Sequence, residues 1–393
     1  MNEIYIIDAV RTAVGKFGES LSSFSSAQLG TIVVKEILKR NNLTGNEIDE
    51  VMIGTVLQSG QGQNVARQIA VNAGIPVEKT ALSVNMVCGS GLRSVMLAAQ
   101  AIKAGDAGII IAGGSESMSN APYLLPKART GYKMGHGSLV DSMITDGLWD
   151  AFNDYHMGIT AENLATKYNI SREEQDRFSV KSQNKAEKAI RENRFVDEIV
   201  PVEIPQRKGD PIIFKTDEFV RLGVTYESLA KLTPAFKKDG TVTAANASGI
   251  NDGAAAVIVA DKKCVIKYNM KPMARIVSYA CHGADPSVMG IGPVEAVNLA
   301  LAKAGWKKED PGLIEANEAF AAQALSVIKA LDLNPDIINV NGGAIAIGHP
   351  IGASGTRILT TLLHEMRKRH VKKGLATLCI GGGMGIAMCV EGL

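Results

Sequence analysis

The chain has 393 residues, too many for one ordinary domain, so two or three are expected. Hydrophobic residues make up 46% and charged residues 21%; 42 Lys and Arg against 40 Asp and Glu leave a net charge of +2, which excludes the strong basic field of a nucleic-acid-binding protein. The five cysteines (88, 264, 281, 379 and 389) are odd in number and lack metal-ligand spacing, which argues against a disulfide framework or a zinc site and for a reduced, cytoplasmic setting.

The start reads directly into a strand over residues 4–10, with neither a basic leader nor a long apolar run; no signal peptide and no membrane span are expected. A helix is predicted over 25–39, with Leu29, Ile32, Val33 and Ile37 on its apolar side, then short strands over 51–54 and 82–85. Next comes Asn85-Met86-Val87-Cys88-Gly89-Ser90-Gly91-Leu92-Arg93. From Leu92 the apolar residues Val95, Met96, Ala99 and Ile102 keep helical spacing, and Gly105 is a C-cap candidate. If that helix starts at Gly89, Cys88 meets its free N–H groups and its dipole, and a lowered thiol pKa is expected. The alternative is a buried core cysteine in a tight turn. An apolar strand over 108–114 then runs into glycines. This alternation implies α/β layering with a mostly parallel sheet.

From 119 to 252 the pattern changes to loops and surface helices. A charged helix over 171–193 opens with the capping box Ser171-Arg172-Glu173-Glu174. The basic residues of this region (Arg194, Arg207, Lys208, Arg221, Lys231, Lys237, Lys238) either face an anionic ligand or form a solvated surface. Strands are predicted over 254–260 and 274–280, a helix from Pro293, a strand over 313–316, and a helix opened by Asn317-Glu318-Ala319-Phe320, where Asn317 is an N-cap candidate. A strand over 337–340 precedes the glycine-rich run 341–355, which carries His349. A helix follows, and a hairpin over 375–390 turns through Gly381-Gly382-Gly383.

Two stretches repeat. Ser83-Val84-Asn85, a loop, Gly89-Ser90-Gly91-Leu92-Arg93, a helix and a strand ending Gly113-Gly114 match Asn339-Val340-Asn341, a longer loop, Ala353-Ser354-Gly355-Thr356-Arg357, a helix and a strand ending Gly381-Gly382. Two related halves packed pseudo-symmetrically would bring Cys88, Asn317, His349 and Cys379 together, each at or just past the end of an inferred strand. A cysteine nucleophile needs a base or dipole to hold it as thiolate, and donors for the oxyanion it creates.

Along its full length the chain resembles the thiolase family, and within it the short-chain biosynthetic type. The resemblance rests on Asn85-Met86-Val87-Cys88-Gly89-Ser90-Gly91, on Gly147-Leu148-Trp149 through His156-Met157-Gly158, and on Asn246-Ala247-Ser248-Gly249. It continues in Asn317-Glu318-Ala319-Phe320, in Asn341-Gly342-Gly343 through Gly348-His349-Pro350, and in Cys379-Ile380-Gly381-Gly382-Gly383. The resemblance implies an α/β thiolase fold: two pseudo-symmetric βαβαβαββ halves in a five-layered α/β/α/β/α core plus a loop domain. The halves would be 1–118 with 253–270, and 271–393; the loop domain, 119–252, would bind coenzyme A.

The implied activity is reversible Claisen condensation of two acetyl-CoA to acetoacetyl-CoA and CoA. Cys88 would be the acylated nucleophile, His349 its activator, and Cys379 the acid/base at the α-carbon. Asn317 would hold a water that forms one oxyanion hole with His349; the N–H groups of Cys88 and Gly381 would form the other. For coenzyme A the resemblance points to Arg221 and Ser248, with Leu148, His156, Met157, Ala244, Ala247, Ala319 and Phe320 lining the pantetheine tunnel. His156, Met157 and Met289 would narrow the acyl pocket. No cofactor or metal is implied, coenzyme A thioesters being substrates. Residues 121–142 resemble a tetramerisation loop, so a homotetramer is expected, with neither nucleic acid nor membrane as partner. The alternatives are a longer-chain 3-ketoacyl-CoA thiolase, a ketosynthase (which would use two histidines), and a non-catalytic acyl-CoA or lipid carrier on the same fold.

Overall fold

The computed structural model describes residues 3–393. The first half runs β1 (Ile4–Thr12), α1 (Ser26–Arg40), β2 (Glu50–Gly54), α2 (Val65–Asn72), β3 (Thr80–Val84), α3 (Ser90–Ala104) and β4 (Ile109–Ser117). An excursion carrying α4 (Met157–Lys167) and α5 (Arg172–Arg191) follows, and β5 (Asn251–Asp261) closes the half. The second half runs β6 (Ala274–Gly283), α6 (Pro293–Ala304), β7 (Leu313–Ala316), α7 (Ala321–Leu331), α8 (Ser354–Arg369), β8 (Lys373–Ile380) and β9 (Met384–Gly392). Ser25 and Ser171 make full capping boxes at the starts of α1 and α5, and Gly105 ends α3 in the left-handed conformation.

The strands are ordered β7-β8-β9-β6-β1-β5-β4-β2-β3. Read outward from the middle, β1-β5-β4-β2-β3 matches β6-β9-β8-β7. In both arms the pairings nearest the middle are antiparallel and the outer ones parallel. The arms join antiparallel through Tyr5↔Arg275 and Ile6↔Ala274. The strand expected at 337–340 is reduced to the single bridge Ile314↔Ile338: Pro335–Ile337 is a 3-10 turn and Asn339 has φ +44°, which ends extended pairing. Helices α2 and α4 lack a strong Ser/Thr start signal. Their caps are Asn64, itself left-handed, and His156.

Successive side chains along a strand point to opposite faces, and that alternation builds the layers. Ile109 and Ile111 join α1 and α2 in one apolar cluster, while Ile110 and Ala112 join α3 and α8 in the next. In the second half Leu378 and Ile380 face α3 and α8, whereas Leu375 faces α6 and α7. The result is α/β/α/β/α, with α3 and α8 as the central layer. The excursion packs α4 and α5 against α7 and is tied to β1 by a buried triad: Arg11 donates to Glu198 and, bidentately, to Asp217.

The two central helices meet at the repeated Ser-Gly. A Cβ on Gly355 would lie 2.3 Å from the Leu92 nitrogen, and one on Gly91 would lie 2.8 Å from Thr356 Oγ1 and 2.9 Å from its nitrogen. Thr356 Oγ1 donates to the Gly91 carbonyl at 2.8 Å. Only backbone fits in this gap. Gly355→Ala is therefore expected to destabilise the fold by about 2–3 kcal/mol, the range for overpacking a rigid contact, read from the urea midpoint. A loss below 0.5 kcal/mol would show that the helices slide apart freely, roughly the level of a neutral surface change.

Candidate active site

Cys88, Asn317 and Cys379 lie at or just past the carboxyl ends of β3, β7 and β8, and His349 in the loop before α8. This is the end of a parallel α/β sheet where ligand sites form. The Cys88 turn is tight. Val87 has φ +45°, a strained position for a β-branched residue. Ser90 secures it: its Oγ accepts from the Met86 N–H at 2.8 Å and donates to the Val87 carbonyl at 2.6 Å. Gly89 is the cap of α3, so Cys88 sits one residue before it.

The equivalent serine of the second half orients the histidine. Ser354 Oγ lies 2.6 Å from His349 Nδ1 and 2.9 Å from the Pro350 carbonyl. A hydroxyl has one proton, and the carbonyl can only accept it. Ser354 must then accept from Nδ1–H, which leaves the lone pair on Nε2. The His349 backbone N–H donates to Asn251 Oδ1 at 2.8 Å. Nε2 faces Asn317 Nδ2 at 3.5 Å, and Asn317 Oδ1 is buried with no partner among the described residues.

Asn317 is not a helix cap: α7 begins at Ala321, after Phe320. The intervening residues are instead held by the excursion. Ser248 N–H donates to the Ala319 carbonyl, Ala321 N–H to that of Asn246, and Ala247 bridges Phe320.

The lowered pKa expected for Cys88 is corrected. Burial pushes the thiol up to about 11; the N–H groups of Gly381 and of Cys88 itself oppose this, and the charge of Glu116 adds to it. A helix dipole contributes about 0.3–1 kcal/mol, too little to offset full desolvation. Burial, with the nearby Arg357 charge, pushes His349 down to about 3. The resting pair is thus a neutral thiol and a neutral imidazole. Cys379 is raised by burial and by the adjacent Cys88. Glu116, pushed up to about 7 by burial, accepts from the N–H groups of Val56, Leu57 and Gly352 and so ties the two halves beneath the site.

Cys88, His349 and Gly381 line one cavity of about 490 Å³. Arg221, Ser248, Leu148, His156 and Met157 line it too, as do Ala244, Ala247, Met289, Ala319 and Phe320. Asn317 and Cys379 are buried behind its wall. Burial lowers the pKa of His156, whose ring stacks on Phe236 at 4.6 Å. Of the basic residues of the excursion only Arg221 lines the cavity; Lys237 and Lys238 flank it beside Phe236, and Arg194 is paired with Glu365. Sequence reasoning missed Lys16, Phe17, Phe219 and Phe236 in the wall, none of which stands in a recognisable pattern. It also missed Ser354 as the partner of His349, although the Ser-Gly repeat contained the signal.

Comparison with known proteins agrees over the whole chain. The profile of the thiolase N-terminal domain matches residues 4–263, and that of the thiolase C-terminal domain matches residues 270–392. An acetyl-CoA acetyltransferase of Cupriavidus necator is 59% identical over 391 residues, 100% of each chain. The crystal structure of the Bacillus anthracis acetyl-CoA acetyltransferase superposes with a TM-score of 0.98 at 42% identity, covering 100% of this chain and 99% of that one. The human mitochondrial 3-ketoacyl-CoA thiolase in complex with CoA gives 0.96 at 44% identity, covering 100% and 98%.

Two outcomes follow from the geometry. Ser354→Ala leaves Nδ1–H without its acceptor and frees the imidazole to change tautomer. A lost partner for a buried donor costs about 1–3 kcal/mol, so kcat is expected to fall about tenfold or more with KM little changed; an unchanged kcat would refute the orienting role. With the thiol raised, the thiolate is scarcer at neutral pH than for an ordinary cysteine. Alkylation of Cys88 by iodoacetamide in the free protein should therefore keep accelerating from pH 7 to 10; a plateau near neutrality would reveal a preformed thiolate.

Proposed function

The chain belongs to the thiolase family, and on that premise we propose that it joins two acetyl-CoA into acetoacetyl-CoA and CoA, and runs the reverse thiolysis, through an acetyl-Cys88 intermediate. The observation that carries the reading is the chemistry of the cavity. Its walls are mostly apolar, the formal charges on it are the cations Lys16 and Arg221, no Asp or Glu among the described residues lines it, and it contains a cysteine and two histidines. Such a space suits a long neutral arm with an anionic head at one end and a thioester at the other.

In the first half-reaction His349 Nε2 takes the Cys88 proton as sulfur attacks the thioester carbonyl. The N–H groups of Cys88 and Gly381 hold the oxyanion, and the departing CoA sulfur takes the Cys379 proton, which leaves Cys379 a thiolate and His349 an imidazolium. In the second, Cys379 removes an α-proton from a new acetyl-CoA. The negative charge moves to that thioester oxygen, which accepts from Nε2–H of the protonated His349 and from a water on Asn317 Oδ1. The carbanion attacks the acetyl-Cys88 carbonyl, and collapse of the adduct releases acetoacetyl-CoA and the Cys88 sulfur, which recovers its proton from His349. Two steps with CoA leaving between them require ping-pong kinetics.

Met157, Met289 and Phe320 share one buried cluster with Cys379, bulk that we read as restricting the acyl group to a short one. This favours acetyl over long chains. We also read the protein as a cytoplasmic homotetramer. Residues 121–142 pair Tyr123–Leu124 with Val140–Asp141 and expose Tyr123, Leu125, Met134 and Leu139, an apolar surface that assembly would cover. No helix among the described residues is long and apolar enough to cross a membrane.

The deciding measurement is kcat/KM for thiolysis against acyl-chain length. Acetoacetyl-CoA is expected to exceed a long-chain 3-ketoacyl-CoA by about a hundredfold, the scale on which a closed apolar pocket discriminates by size. The opposite order would establish the longer-chain thiolase instead, and no turnover of either would leave a carrier.

A further inference from the structure

We propose that Lys16 is a second cation, beside Arg221, that engages the phosphate groups of coenzyme A; the inference rests on the coenzyme A reading above. Lys16 follows β1 in Gly15–Lys16, a short strand paired antiparallel with the start of β5, where Asn251 stands opposite Lys16. Its backbone is pinned: the N–H donates to Glu218 Oε2 at 2.8 Å, and its carbonyl accepts from Glu19. Asn251, opposite it, also receives the backbone N–H of His349. The segment carrying Lys16 is thereby fixed relative to the reacting groups.

Its ammonium makes no ion pair or hydrogen bond among the described residues. The carboxylate beside it, Glu218, is occupied by the Lys16 N–H and by Ser20 Oγ at 2.6 Å. Arg221, the other cation on the cavity, forms no ion pair there either, and its guanidinium lies over Phe219. Two cations on one cavity with no acid among the lining residues form a field with an anion as its natural partner. Coenzyme A carries a pyrophosphate and a phosphate monoester, more negative charge than one guanidinium balances. Its pantetheine arm is neutral and suits the apolar wall. A merely solvated lysine would be indifferent to whether the ligand carries phosphate.

The test titrates CoA and pantetheine, which lacks the phosphates, into the full chain as wild type, Lys16→Gln and Lys16→Arg. Lys16→Gln is expected to weaken CoA about fivefold, the upper range for an exposed charge pair, with pantetheine affinity held within twofold. Lys16→Arg should keep CoA within about twofold, because it keeps the charge. An unchanged CoA affinity in Lys16→Gln overturns the inference. So does equal weakening of CoA and pantetheine, or a loss in Lys16→Arg as large as in Lys16→Gln. Wild-type protein that binds no CoA would instead sink the coenzyme A reading itself.

Discussion

The close crossing of α3 and α8 is the constraint on which the molecule depends. The backbones meet at Gly91 and Gly355, where a single added carbon would lie within 3 Å of the opposite chain. Both helices begin at this contact, so the turns that precede them are forced into one small volume. One turn carries Cys88 and the other belongs to the loop that carries His349. Glu116 reinforces the meeting from below, accepting N–H groups from both halves with a buried carboxylate. Duplication thus places two equivalent loop sets face to face, after which each can take a different chemical task.

The paired serines illustrate that divergence. Ser90 and Ser354 occupy equivalent positions, and each hydroxyl donates to a carbonyl earlier in its own turn. In the first half the free lone pair of the serine accepts a backbone N–H and holds a strained cysteine turn. In the second it accepts the imidazole proton and fixes which nitrogen carries the lone pair. The same local geometry thereby presents a sulfur on one side and a base on the other.

Burial dominates the electrostatics. It opposes charge on Cys88, Cys379 and His349 alike, so the proposed mechanism couples proton transfer to arrival of the thioester. The cations Lys16 and Arg221 lie on the same cavity wall, beside an arm-shaped apolar surface. Reacting groups that are neutral at rest, beside charged binding groups, suit the proposed reaction, in which charge appears only transiently.

Much of this was legible in the sequence. Strand–helix alternation, the capping boxes at Ser25 and Ser171, the hairpin through Gly381-Gly382-Gly383 and the Ser-Gly-x-Arg repeat are local patterns, and local sterics and hydrogen bonding decide them. Motif residues likewise singled out Cys88, His349, Asn317 and Cys379 as candidates, because chemistry restricts which side chains can serve, and the structure brings them to one end of the sheet. Other properties depend on neighbours far along the chain. The thiol of Cys88 is raised rather than lowered because its desolvation comes from both halves. Asn317 caps nothing because the Asn246–Ser248 segment holds the residues after it. The expected third strand of the second half is a single bridge because Asn339 leaves the extended region. Lys16 reached the cavity unannounced, since no local pattern encodes a wall assembled from distant segments. The sequence by itself determined the elements and the candidate reacting groups. Only the tertiary structure decided their protonation, their tautomer and the company they keep, because those follow from burial and distance.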